Sequence, residues 1–144
     1  MPRPRHRCTR SSGDEALLEA GEQVRELRDR FTIRELIYDP WRMTQLALEL
    51  EREGMLTVTF PQSDSRMVPA SGALHEAVVQ GRLRVPDDPE LAQHAADAVQ
   101  RHSRRGWRLE TPARGVCVDA IIALAMAVDR AQHRQPETQL VGWL

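Results

Sequence analysis

Two short runs rich in β-branched residues flank a segment of helical period, and this alternation limits the folds open to the chain more than any other feature. Residues 32–38 (TIRELIY) alternate, with Ile33 and Ile37 β-branched, and read as a strand. Asp39-Pro40 closes that strand and opens the next element, since Asp is a favoured helix N-cap and Pro suits the first helical turn. Residues 41–53 place Met43, Leu46, Ala47 and Leu50 on one helical face, and Gly54 stands where a C-terminal glycine belongs. Residues 56–60 (LTVTF) form a second short strand. Strand, helix and strand in succession favour an α/β layer with parallel strands.

The flanking elements follow the same pattern. From Asp14 onward, Leu17, Val24, Leu27 and Phe31 recur at helical spacing with Glu and Arg between them. After a loop at 61–65, a helix is expected over 69–81 with Leu74, Ala77 and Val78 inward, then a short edge strand at 83–85. A helix over 89–102 carries Leu91, Ala95, Ala98 and Val99, and residues 107–109 are extended. Arg114-Gly115 breaks the chain before a final helix over 118–131, where Ile121, Ile122, Leu124, Ala125 and Val128 make a broad apolar face. Ile33, Leu36, Ile37, Val58, Ile121, Leu124 and Val128 are expected to be mostly buried in one core. A parallel sheet needs cover on both faces and neighbours on both sides, so two or three strands read as an incomplete sheet. Residues 1–12, with Arg3, Arg5, Arg7 and Arg10 among Pro and polar residues, read as a disordered basic tail or a nucleic-acid-binding arm. Residues 13–133 read as one domain and 134–144 as a loose tail.

Charge and motifs narrow the function classes. The formal net charge is −1, so no global field draws the chain to nucleic acid or a lipid surface. All 20 Lys-plus-Arg positions are arginine, most simply the mark of a GC-rich genome. Cys8 and Cys117 match no metal or redox spacing. No apolar run is long enough to span a membrane, and the basic N-terminus lacks the apolar stretch of a signal peptide. There is no G-x-x-x-x-G-K-[ST] and no G-x-S-x-G, which removes a P-loop ATP site and that type of serine nucleophile.

The candidate chemistry lies in acids. Asp39 stands at the carboxyl end of an apolar strand, where ligands of open α/β sheets bind, and equally suits a helix N-cap. Asp119, in GVCVDAIIALAMA, begins an apolar helix; a buried acid there needs a partner or a metal, and a first-turn Asp also interacts well with the helix dipole. Asp97 follows His94 by three residues and shares its helix face, either as a metal pair or as an ordinary surface pair. His75-Glu76 lacks the second His of a zinc-protease motif and reads as surface, and Asp87-Asp88 as a loop and helix start.

Four segments in order, YDPWRMTQLALELEREG, FPQSDSRMVPASGALHEAVVQGRLR, DPELAQHAADAV and GWRLETPARGVCVDAIIALAMAVDRA, resemble the C-terminal nuclease domain of tailed-phage terminase large subunits. The resemblance covers residues 14–131. It implies an α/β, partial RNase H-like (ribonuclease H superfamily) layer lacking the first strands, in a chain that is a C-terminal fragment. It further implies a metal-dependent DNA endonuclease that cuts concatemeric phage DNA, with Mg2+ or Mn2+ as cofactor and the ATPase carried elsewhere. Double-stranded phage DNA, the portal and the small terminase subunit would be the partners, in the cytoplasm of a bacterial host. Asp39 resembles the acid that follows the strand after the first hairpin, and Asp119 the acid that opens the final helix. The acid of the family's first strand has no counterpart here. Asp97 stands where the family often has Asn, and Thr111 where a basic residue is common; both departures weaken the expectation of full activity. The alternatives are a catalytically inactive prophage remnant and a small α/β module that binds DNA or a partner through its arginines.

Overall fold

The computed structural model describes residues 13–133. Both expected tails, 1–12 and 134–144, lie outside them. The elements in order are α1 (Gly13–Arg30), β1 (Leu36–Tyr38), α2 (Pro40–Arg52), β2 (Thr57–Thr59), α3 (Asp64–Val79), α4 (Pro89–Asp97), β3 (Val99–Ser103), β4 (Gly106–Glu110) and α5 (Asp119–His133).

The predicted strand–helix–strand unit is present. β1 and β2 pair in parallel with Ile37 opposite Val58, and α2 makes the crossover. Pro40 is the first residue of α2. Gly54 has φ 88°, a left-handed conformation that disfavours a Cβ and ends the helix. The second sheet corrects the sequence reading. Helix α4 stops at Asp97, and residues 99–103 are not helical; they form β3, paired antiparallel with β4 from Val99–Glu110 to Ser103–Gly106. Long-range pairing overrides helical pattern here, because this strand pair is anchored on α3, where the Leu109 N–H donates to the buried Ser71 hydroxyl at 3.0 Å. Gly106, φ 125°, permits the tight return after Arg104-Arg105. Helix α3 begins at Asp64, ahead of the expected 69, and carries Pro69 inside it at the loss of one i→i−4 bond. Residues 83–85 form no strand.

Two apolar clusters form in place of the single expected core. One gathers Phe60, Met67, Ala70, Leu74, Val118, Ile122, Ala125 and Met126 between α3 and α5, with Ile37 packed against it. The other gathers Leu46, Leu50 and Met55, with Leu17, Val24 and Leu36 around it from α1 and β1. Alternation along β1 thus sends successive residues to opposite faces. Ile33, Leu36, Ile37, Val58, Ile121, Leu124 and Val128 are half-buried rather than buried. All but Val58 form the shell of these clusters, whose centres are Phe60, Leu50 and Met67.

Candidate metal and nuclease site

Asp39 is held by the geometry that its sequence position dictates. It follows β1 directly, keeps extended backbone (φ −74°, ψ 125°) and accepts the Trp41 N–H at 3.0 Å through Oδ1. The capping role is therefore real, and Asp39 is half-buried, at the carboxyl end of the parallel pair. A 2.7 Å bond from the Phe60 N–H to the Tyr38 carbonyl extends the pairing up to that position.

Asp119 is the first residue of α5 and is solvent-exposed. Its neighbour Val118 is buried in the larger cluster and ties the helix end to the core. Asp97 is the last residue of α4 and accepts a 2.9 Å bond from the Gln93 side-chain amide. His94 does not join it. The imidazole is buried, and its Nδ1 accepts the Ala120 N–H at 3.1 Å. His94 thus caps α5, and the sequence offered no local signal of this, since the two partners are 26 residues apart.

A second feature outside the sequence reading is an ion network at the base of the β3–β4 hairpin. The buried Arg108 donates to the Gln62 carbonyl at 2.7 Å and to Asp64 at 3.3 Å and forms an ion pair with Glu110 at 3.0 Å, leaving its Nε unpartnered. Arg101 bridges the same two carboxylates. The network joins the hairpin to the start of α3. Among the described residues, Arg104 and Arg105 at the exposed turn take part in no ion pair. Elsewhere, Arg130 of α5 meets Glu35, just before β1, through two parallel bonds of 2.9 and 2.8 Å. Hydrogen bonding to Glu35 raises the Arg130 pKa against the opposing effect of burial.

Carboxylate oxygens are the right donors for a hard divalent ion. Among the described residues, however, no three His, Cys, Asp or Glu side chains converge into a group that could hold one. Asp39, Asp97 and Asp119 alone do not make a closed ligand set.

Residues 12–135 match the family model described as terminase large subunit, endonuclease domain. The chain belongs to that family. No curated protein matches it. This terminase domain is similar in fold to the HK97 bacteriophage large terminase, with a TM-score of 0.68 and 24% identity over 78% of this chain and 24% of that one. It is also similar to the large terminase nuclease from thermophilic phage G20c, with a TM-score of 0.61 and 18% identity over 82% of this chain and 63% of that one. The chain therefore spans about a quarter of the first relative and under two thirds of the second. Among the described residues no helix is long and apolar enough to cross a membrane.

Proposed function

We propose that this terminase domain contributes to a divalent-metal endonuclease acting on double-stranded phage DNA during packaging, with Asp39 and Asp119 as metal-binding carboxylates. The observation that carries this is the relation of β1 to α5. The Glu35–Arg130 bridge fastens the start of β1 to the far end of α5. Ile37 then packs against the cluster that contains Met126, Ala125 and Ile122. From Glu35 to Asp39 the strand covers about 13 Å, and from Arg130 back to Asp119 the helix covers about 16 Å. Two elements that share one end and run in opposite chain directions support placing both acids toward the same edge.

When bound, a pair of divalent ions would stabilise the attacking and leaving oxygens of a phosphodiester and prepare the water. The protein's part is to hold carboxylates at fixed positions. Asp39 is oriented by its cap bond and Asp119 by the first turn of α5. Because the described residues offer no third ligand, the reading requires a further acid from outside them. In an RNase H-like layer that acid would come on a strand beside β1, whose only partner among the described residues is β2. Mg2+ or Mn2+, portal and small-subunit partners, and a host-cytoplasmic setting belong to the same reading.

The test is cleavage of supercoiled plasmid in manganese. The isolated chain is expected to cut at least on the order of 100-fold more slowly than a complete site, since small displacements of catalytic groups cost that much. The residual cutting should vanish in Asp39→Ala and in Asp119→Ala. Cutting that survives both changes would reject the assignment. A second reading, DNA binding without cleavage, is favoured by Arg104 and Arg105 at the hairpin turn. Arg104→Ala with Arg105→Ala would then weaken metal-free DNA binding and lower its salt slope by about 2.

A further inference from the structure

Helix α5 follows a residue that offers no side-chain cap. The residue before it is Val118, which has no acceptor to offer. Its carbonyl begins the helix by accepting the Ile122 N–H at 3.1 Å. The Ala120 N–H, at the second helical position, is one of the donors a capping side chain ordinarily satisfies. His94 supplies that acceptor from α4. The residue is only 5% exposed, and its Nδ1 lies 3.1 Å from the Ala120 nitrogen. An accepting Nδ1 carries no proton, so the ring proton sits on Nε2, which faces Glu90 at 3.9 Å. The histidine is itself fixed, because Asp88 caps α4 through bonds of 2.8 and 2.9 Å and the Ala98 N–H closes the other end on the His94 carbonyl.

We propose that His94 is a positioning residue for Asp119: its neutral imidazole holds the first turn of α5 against α4, and so sets where the Asp119 carboxylate stands. The inference rests on reading Asp119 as a metal-binding acid. It assigns His94 no contact with metal or DNA.

The test uses the full 144-residue chain and three substitutions. His94→Leu fills the space without an acceptor. His94→Asn places an oxygen where Nδ1 stood, and His94→Gln places its oxygen near the position of Nε2. In EDTA, hydrogen exchange at the Ala120 amide should speed up by on the order of 10-fold or more in His94→Leu and His94→Gln, and return toward wild type in His94→Asn. Manganese, added as a paramagnetic probe, should broaden the Asp119 amide signal in the wild type. The concentration needed should rise by roughly 10-fold in His94→Leu and recover in His94→Asn. Should His94→Leu fail to fold, the Asn and Gln variants carry the same comparison. Unchanged Ala120 exchange in the Leu and Gln variants would overturn the cap. Faster exchange with unchanged broadening would reduce His94 to a structural role. No broadening in the wild type would instead reject the metal reading of Asp119, and the positioning role with it, while the metal-free exchange result still reports on the cap.

Discussion

The two faces of β1 are covered very differently. Ile37 meets a cluster in which eight residues are buried, drawn from α3, α5 and the segments leading into them. Leu36 meets one in which only three are buried, with a half-buried rim supplied by α1. On that second side α1 leaves Leu18 71% and Leu27 44% exposed. The α3–α5 face thus carries most of the packing free energy, while α1 and α2 are held by a thinner seam and by polar ties. Each candidate acid opens a helix on a different face: Asp39 opens α2 and Asp119 opens α5. Their relative placement depends on β1 as the wall shared by both sides.

The largest effect should therefore come from the centre of the thicker cluster. Phe60 is fully buried, and Phe60→Ala is expected to cost about 3–5 kcal/mol of unfolding free energy. Leu50 is equally buried, but its neighbours on α1 can settle inward. Leu50→Ala should fall toward the lower end of its range, about 2–3 kcal/mol, because the cost depends on how well the site collapses. Urea titrations of both variants decide the matter. A larger loss for Leu50→Ala would reverse the comparison between the two faces.

The parts of the fold visible in the sequence were those governed by residues close along the chain. The Asp39-Pro40 cap, the α2 face and the Gly54 stop each act within a few residues, and each is found as read. The Asp88 cap of α4 was equally local. The reading failed where distant pairing decides. Residues 99–103 carry on the helical pattern of α4, yet the ladder with β4 and the Arg101 and Arg108 bridges to Asp64 draw them into a strand. Pro69 looked like a helix start, although α3 had begun at Asp64. Among the candidate residues, the helix-start positions of Asp39 and Asp119 were legible, because capping and chain breaks mark them. The role of His94 was not, since i, i+3 spacing pointed to Asp97 whereas the ring turns to α5.

The next effect tests the joint between the two faces. Glu35 and Arg130 have side chains only 14% and 27% exposed, and their two bonds tie the approach to β1 to the end of α5. Charged hydrogen bonds of this kind contribute about 1–3 kcal/mol. Glu35→Gln is expected to cost an amount in that range, and Arg130→Met a similar amount. Combining them should cost clearly less than the sum, because each removes the same interaction. Strict additivity in the double-mutant cycle would show that the bridge does not couple α5 to β1. Asp39 and Asp119 would then have no shared anchor holding them toward one edge.

The smallest effect belongs to the thin side. Glu53 ends α2 and accepts from Arg25 Nε at 3.0 and 3.1 Å, with Arg28 at 3.3 Å. The Arg25 side-chain bonds hold the Glu53 carboxyl below the ordinary carboxylate range, against a smaller opposing effect of desolvation. A carboxylate whose folded pKa is depressed contributes stability that is present above its unfolded pKa and is lost as pH falls through the folded value. The wild type should therefore exceed Glu53→Gln in urea midpoint at pH 7, and the gap should close on acidification to below the ordinary carboxylate pKa of about 4.3. The gap should also shrink in high salt, because both partners reach solvent and exposed pairs are screened. Taking the difference between the two proteins at each pH removes the titrations they share, so only the pair is measured. A gap that stays constant from neutral to acid pH would mean that Glu53 acts through packing or its backbone cap instead. A gap approaching the loss in Phe60→Ala would mean that α1 is held far more firmly than its exposed leucines indicate.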